Sequence, residues 1–591
     1  MRKSDARAEL LPRDDNTTIA TSHFSRAPLE TKTVPANAGG LPAGPCSFTE
    51  GASIMLDRRN FLKLALAAQA FAAFPANAAS PNLRFGEAQP FSPDWLKAHA
   101  QALAAAPYSP PPRPDPAIVA SIDYDAHGKL KYKNDFALYG DGHPSAFPIT
   151  FMHVGQYFPK TVRMYALEPS GEGGSSAREI LYDPDYFSIP PDSVAAKLPP
   201  NPSRFAGFWL REPKAGTEDW RIAEPWVTFL GASYFRAKGE LGQVGLSARG
   251  IALTPGGNAI EEFPDFVAFW FLPAPSASRN VTVYALLDGP SVTGAYKFVM
   301  ERTKGVVMDI EPTLFLRQPV ERLGLAPLTS MYWYSETVKQ AAIDWRPEVH
   351  DSDGLAMWTG GGEHIWRPLN NPAHTTISSF ADEHPRGFGL LQRDREFDHY
   401  LDGVGYEKRP SAWVEPLGDW GKGVVQLVEM PTDDEIMDNV VAYWIPEKPT
   451  QAGDRIDLRY RLHWLADEPF PTDLGRCVAT RLGRGGEPGQ SRPFGVRKFL
   501  VEFLGGPLRE LPRGVKPELV LWASRGKFSQ IMPEAVPDDV PGHWRAHFDL
   551  IVDGREPVEM RLYLKSGDRV LTETWLYQYH PFVTDARPVG Y

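Results

Sequence analysis

From Pro116 onward the sequence is cut into short runs of β-branched and aromatic residues, each closed by Gly, Pro or Asp. Trp226-Val227-Thr228-Phe229-Leu230, Phe266-Val267-Ala268-Phe269-Trp270-Phe271 and Val281-Thr282-Val283-Tyr284-Ala285-Leu286 are representative. Runs of this length and chemistry form strands, and their punctuation leaves little room for long helices. The 57 Pro and 51 Gly in 591 residues act the same way, since both favour turns. The expected fold class is mostly β, with a large N-terminal antiparallel β-sandwich. One helix is expected, from Ser92 to Ala105, ahead of a Pro-rich linker from Pro107 to Pro116.

The clearest change in composition lies between Pro469 and Pro493, where Gly483-Arg484-Gly485-Gly486-Glu487-Pro488-Gly489-Gln490 reads as a polar, flexible stretch. Residues 471–493 are therefore expected to be a linker or loop between a first sandwich, 79–470, and a second, 494–591. Strands are expected in the second at Lys498–Phe503, Glu518–Trp522, His547–Val552, Val558–Leu564 and Thr572–Tyr579. In the last, Trp575, Tyr577 and Tyr579 alternate with Leu576 and Gln578, the period of a strand with one buried face. Five to seven strands in about a hundred residues suggest an immunoglobulin-like sandwich, although the Cys-Trp-Cys hallmark is missing.

A leader precedes all of this. Asp57-Arg58-Arg59-Asn60-Phe61-Leu62-Lys63, the apolar run Leu64–Phe74 and Pro75-Ala76-Asn77-Ala78 form a charged region, a short apolar region and a small-residue cut before Ala79. The apolar run is too short to span a bilayer, so 55–78 is expected to be a signal peptide. The paired arginines point to the twin-arginine exporter. Residues 1–54, polar and without periodicity, are expected to be an over-long extension ahead of Met55. The expected location is the periplasm, free of stable membrane insertion. Only Cys477 would remain after cleavage, Cys46 being lost, so no internal disulfide is expected.

The net charge of −11 argues against nucleic acid as a partner, because phosphate binding needs a basic surface. Sixteen Trp and 21 Tyr exceed what a plain core requires and suit sugar faces, as they also suit β cores. Zinc, nucleotide and serine-hydrolase signatures are absent. What remains is carboxylates near aromatics, in two segments. The first runs from Trp345-Arg346-Pro347-Glu348-Val349-His350-Asp351-Ser352-Asp353 through Trp358 and Glu363 to Trp366-Arg367. The second is Glu429 to Asn439, containing Glu435 and Asp438. Paired acids suit glycoside chemistry, in which one acid protonates the leaving oxygen and another carboxylate serves as base or nucleophile. Trp358, Trp366 and Arg367 are expected to support substrate binding. No cofactor or metal is expected; hard-cation binding at His350-Asp351-Ser352-Asp353 is the weaker alternative, its oxygen ligands lacking a calcium loop's regularity.

Seven motifs carry a resemblance to a known family: Tyr182-Asp183-Pro184, Phe229-Leu230-Gly231-Ala232-Ser233-Tyr234-Phe235-Arg236, Gly245-Leu246-Ser247-Ala248-Arg249-Gly250, Glu262-Phe263-Pro264-Asp265-Phe266, Thr293-Gly294-Ala295-Tyr296-Lys297-Phe298, Arg367-Pro368-Leu369-Asn370-Asn371-Pro372 and Glu573-Thr574-Trp575-Leu576-Tyr577-Gln578-Tyr579. Across nearly the whole mature chain the sequence resembles the OpgD/OpgG family of periplasmic glucan biosynthesis proteins, and the twin-arginine leader favours its D branch. The resemblance implies a galactose mutarotase-like first domain and a role in making osmoregulated periplasmic glucans. It also implies endo-acting, inverting chemistry on β-1,2-glucan, by hydrolysis or transfer. Carried over by position, Asp438 matches the family's general acid, Asp351 its general base, and Glu435 and Tyr406 supporting positions.

An acid working near neutral pH needs a raised pKa, through desolvation or a neighbouring negative charge, for which Glu435 is the candidate. The 469–493 stretch looks shorter than in hydrolytic relatives, which leaves hydrolase and transglycosylase both open. A homodimer follows if that loop completes a neighbour's site. The competing reading is a non-catalytic glucan-binding scaffold that assists an inner-membrane glucan synthase. A mutarotase-type epimerase fits less well, since no paired His lies near a suitable Glu.

Overall fold

A computed structural model describes residues 83–581, apart from 171–173, 200–202, 217, 257–260, 340, 341 and 513. The leader at 55–78, its cut before Ala79 and the extension at 1–54 lie outside the described residues. The chain is mostly β, as its strand texture implies. The helix runs Pro93–Ala104. Ser92 caps it, its Oγ accepting the Trp95 N–H at 3.1 Å, and Pro93 opens it with a backbone angle already suited to a helix. Its buried Leu96 and Ala100 pack with Phe91, Tyr165 and Trp270.

Two extended sheets enclose the main core. In one, Arg163–Ser170, Asp265–Leu272, Asn280–Asp288, Val292–Arg302 and Val306–Leu316 lie side by side, and the ladder continues through Tyr460–Leu465, Ser411–Pro416, Gly387–Leu391 and Gly354–Trp358 to His364–Pro368. The other is ten-stranded. Its order is Thr376–Glu383, Lys422–Glu429, Val440–Pro446, Leu323–Ser330, Ser247–Arg249, Tyr234–Ala237, Val227–Leu230, Phe205–Leu210 and Ile149–His153, with Ala252–Leu253 also paired to Leu323–Ser330. Alternation makes the core. Phe208, Phe229 and Phe235 point inward from the ten-stranded sheet and meet Phe269 and Phe298 of the other, with ring centroids 4.9–5.4 Å apart across Phe208–Phe269, Phe229–Phe298 and Phe235–Phe298. Each buried phenylalanine contributes about 1.5–3 kcal/mol of transfer free energy.

The C-terminal sandwich packs Arg476–Arg484, Val496–Leu504, His543–Ile551 and Lys527–Ala535 over Glu518–Ala523, Val558–Ser566 and Thr574–Tyr579. Phe499, Phe548, Trp575 and Tyr577 fill it, with Phe499 stacked on Phe548 at 5.1 Å. The structure corrects the expected linker at 471–493. Arg476–Arg484 is a strand in register with Val496–Leu504, and Cys477 and Thr480 turn inward. The Gly-Pro run that suggested a linker is only the hairpin connection between these two strands. Nor are the two sandwiches joined by a linker alone. Ile365 and Trp366 pair in parallel with Thr574 and Trp575, and Ala356, Trp366, Leu391 and Trp413 belong to the second core. Cys477 is free and buried. No helix among the described residues is long and apolar enough to cross a membrane.

Candidate functional site

The outward-facing residues of the ten-stranded sheet form the floor of a polar cleft. Phe235 and Ala237 are buried, so Tyr234 and Arg236 on the same strand face away from the core. Next to them Ala248 points inward and Arg249 outward, in register with Tyr234. The Arg249 guanidinium lies 4.6 Å from the centre of the Tyr234 ring and pairs with Glu261 at 2.5 Å. Three segments stand over this floor: 331–351 (340 and 341 apart), 392–410 and 430–439.

Asp351 and Asp438 come from two of these segments. Asp351 follows the short strand Val349–His350, and its backbone N–H donates to Met331 O at 2.8 Å. The residue is 8% exposed, with Oδ1 3.0 Å from Arg409 Nε. That contact is an ion pair without hydrogen-bond alignment, so both atoms are buried with no hydrogen bond. Desolvation pushes the Asp351 pKa up to about 6. Arg409 opposes the rise, the charge of Asp438 adds to it, and His350 and Arg236 oppose it. Asp438 ends the 430–439 segment, and solvent reaches its side chain. Desolvation nevertheless raises its pKa, against the pull of Arg249, Arg236 and Arg409. Two carboxylates with raised pKa values, each within reach of Arg236 and Arg409, are what acid–base work requires.

Neighbouring residues hold this geometry. Asn439 fixes the base of the Asp438 segment: its Oδ1 accepts the Tyr332 N–H at 2.8 Å, and its Nδ2 donates to Tyr332 O and Met430 O, each at 2.9 Å. The Tyr406 hydroxyl donates to Glu435 Oε2 at 2.6 Å, and Arg346 Nη1 donates to the same oxygen at 2.6 Å and to Asp402 at 2.8 Å. One arginine thus ties together all three segments over the floor. Gly245 has a steric role, because a Cβ there would sit 3.0 Å from Arg409 Cδ and 3.2 Å from Pro410 Cδ. Its lack of a side chain lets the Arg409 segment approach, and Arg409 donates to Val244 O. His350 sits behind Asp351. Burial opposes its charge, yet its bond to Glu348 at 2.9 Å carries its pKa up to about 9.

Asp351, Asp438, Glu435 and Tyr406 are therefore brought together. Glu435 is engaged by Arg346 and Tyr406, and desolvation, not Glu435, is what raises Asp438. Trp366 and Arg367, expected to support substrate binding, are 4% and 1% exposed. Trp366 lies 3.8 Å from the guanidinium of Arg393, inside the seam between the sandwiches, and Arg367 pairs with the buried Glu429 at 3.0 Å. Neither can reach a ligand, because the parallel strand Thr574–Tyr579 runs beside theirs. Trp358, half-buried, stacks on His364 at the same seam and packs against the C-terminal core. Sequence reasoning passed over Arg236, Arg249, Arg409 and Arg346. The alternation in Tyr234-Phe235-Arg236 was the available signal for the first. As for metals, Glu348, Asp394 and His399 bring ligating atoms within 4.8 Å of one another, but His399 Nδ1 bonds Asp394 Oδ2 at 2.6 Å and Glu348 bonds His350.

The sequence matches the family described as "Periplasmic glucan biosynthesis protein, MdoG" over residues 91–579. It is 58% identical over 545 residues to Glucans biosynthesis protein D 2 of Ralstonia nicotianae, an alignment covering 91% of this chain and 100% of that protein. It is 45% identical over 538 residues to Glucans biosynthesis protein D of Xanthomonas campestris pv. campestris, covering 89% of this chain and 98% of that protein. The identity and coverage are the same with the protein of that name from Stenotrophomonas maltophilia.

Proposed function

We propose, from the premise that this chain belongs to the periplasmic glucan biosynthesis protein family, that it serves glucan biosynthesis in the periplasm by inverting cleavage or transfer within β-1,2-glucan. Asp438 is the general acid and Asp351 the general base. The observation that carries this reading is the pairing of these two carboxylates in one cleft, with raised pKa values and each sensitive to the same arginines. Asp438 is the member open to solvent, so it meets the glycosidic oxygen. Asp351, with a pKa of about 6, is mostly ionised at neutral pH and can take a proton from water or a sugar hydroxyl. Inversion places that nucleophile on the face of the sugar opposite the acid. Arg236, Arg249 and Arg409 bind hydroxyls along the floor. Export by the twin-arginine route and engagement with an inner-membrane synthase complete the proposal.

One observation favours a second reading, glucan binding without chemistry. All three arginines pull the Asp438 pKa down, and an ionised Asp438 cannot protonate a leaving group. Incubation of the purified protein with linear β-1,2-glucan separates the two. New reducing ends support hydrolysis, and altered chain sizes without new ends support transfer. A substrate that binds but stays unchanged supports the scaffold.

A further inference from the structure

Beyond Tyr234 lies a second cavity, of about 160 Å3, that contains none of the carboxylates above. Its walls are the half-buried rings of Phe158 and Tyr234, and beneath them lie Phe229 and Phe266, closed off at the end of the main core. Its mouth carries Arg113, Tyr157, Lys160 and Asp265. Lys160 Nζ is 2.6 Å from Asp265 Oδ2, and Asp265 is only 4% exposed. A paired ammonium and carboxylate at the rim of an aromatic well match the two sides of a hexopyranose. The partly exposed Lys160 ammonium, held by Asp265, is placed to donate to sugar hydroxyls, while the rings of Tyr157, Phe158 and Tyr234 offer a surface to the C–H face. The volume suits one sugar ring and falls well short of the ~300 Å3 at which drug-sized sites begin.

Tyr234 is shared between this cavity and the cleft. Its side chain lines the cavity, while Arg249 packs on its ring; burial raises its pKa, against Arg249 and with a smaller push from the charge of Asp438. Strand order gives the spacing. Val440–Pro446, the strand that follows Asp438, is separated from Tyr234–Ala237 by Leu323–Ser330 and Ser247–Arg249. Three strand spacings amount to ~14 Å, more than one sugar ring. Gly231, at φ +77°, turns the chain at the rim and lets the Phe158 ring form a wall, since a Cβ there would lie 2.9 Å from it.

We propose that this cavity is a distal saccharide subsite that holds one glucosyl residue of a bound glucan away from the reacting bond, so that only chains long enough to reach it gain its affinity. The inference rests on the glucan reading above. Lys160 is the partly exposed polar group of the rim and Arg113 and Tyr157 are exposed, so Lys160→Gln combined with Arg113→Ala and Tyr157→Ala removes the rim without disturbing the core. The measurement is calorimetric binding of linear β-1,2-glucans of graded length to an Asp438→Asn chain, with and without the rim substitutions. The intact rim should give a step of roughly tenfold in affinity, ~1.4 kcal/mol, once the chain spans the cavity. The rim variant should lose that step and bind the shortest oligomers as before. A step that survives the substitutions, or an equal loss at every length, would overturn the subsite. If the intact-rim chain binds no β-1,2-glucan of any length, the glucan reading itself fails and the subsite falls with it.

Discussion

Two of the places where arginines meet carboxylates in this molecule, the cleft and the seam between the sandwiches, satisfy them very differently. In the seam Arg393 spans Glu573 with Nη1 at 2.6 Å and Nη2 at 3.2 Å, reaches Glu468 at 3.2 Å and lies on the Trp366 ring. Glu573 also accepts the Cys477 N–H at 2.6 Å. Arg367 pairs with Glu429, whose other oxygen takes the Asn370 N–H at 2.6 Å. Here each of these carboxylates is met by an arginine, and Glu573 and Glu429 by a backbone N–H as well. In the cleft Asp351 Oδ1 has an arginine beside it but no hydrogen bond, and Asp438 faces solvent with three arginines around it. Matched charges fix one docking geometry. Unmatched ones are left to act on something else.

The largest effect expected from this contrast is on catalysis. Asp438→Asn should lower kcat by ~10²–10⁴-fold, the usual worth of a positioned acid, with an unchanged melting temperature because the side chain is exposed. Steady-state assays and thermal melts read the two quantities. Next in size is stability. Arg393→Leu leaves Glu573 buried without its arginine, Glu468 keeping Arg476 at 3.1 Å, and should cost about 3–5 kcal/mol in denaturant unfolding, while the folded fraction keeps its activity. The contrast breaks if this variant loses activity at full stability.

A smaller effect sharpens the account of the cleft. Arg409 holds the Asp351 pKa down, so Arg409→Gln should move it above about 6, and the acid limb of the pH–rate profile should rise with it. The charge of Asp438 acts in the opposite sense. In Asp438→Asn, carbon NMR should find Asp351 titrating below its parent value. The smallest effect links the regions. Glu336 Oε1 accepts the Thr480 N–H of the C-terminal sandwich at 3.0 Å, and desolvation, with the nearby Glu348, carries its pKa from 4.5 to about 8. A raised carboxyl pKa costs stability in full above the folded value and nothing below the unfolded one. Glu336→Gln, which keeps the acceptor, should therefore gain stability above pH 8 and none below 4.5 in denaturant unfolding.

Strand chemistry made most of the fold legible, because period-two burial in Val227–Leu230 or Val558–Ser566 is written directly in residue type. Lys527–Ala535 was not legible. It is an exposed strand paired on one side, with Pro533 and an irregularity between Ser529 and Met532, so its pattern is polar and broken. Arg476–Arg484 was hidden by the Gly-Pro hairpin after it. In the candidate site, Asp351, Asp438 and Glu435 were singled out as loop carboxylates and by resemblance, and Tyr406 by resemblance alone. Trp366 and Arg367 misled because an aromatic beside an arginine has the same composition in a seam as in a sugar site. Only the parallel pairing with Thr574 and Trp575, 209 positions away in the case of either pair, distinguishes them, and no local pattern encodes a contact that distant.

The central claim is that Asp351 and Asp438 act as one inverting pair. Proton NMR of β-1,2-glucan during the first minutes of reaction follows the configuration of the anomeric carbon released. The account requires that carbon to emerge α, as a free end or in a new linkage, and requires the signal to vanish in Asp438→Asn and in Asp351→Asn. A β product, or turnover that survives either substitution, would contradict it.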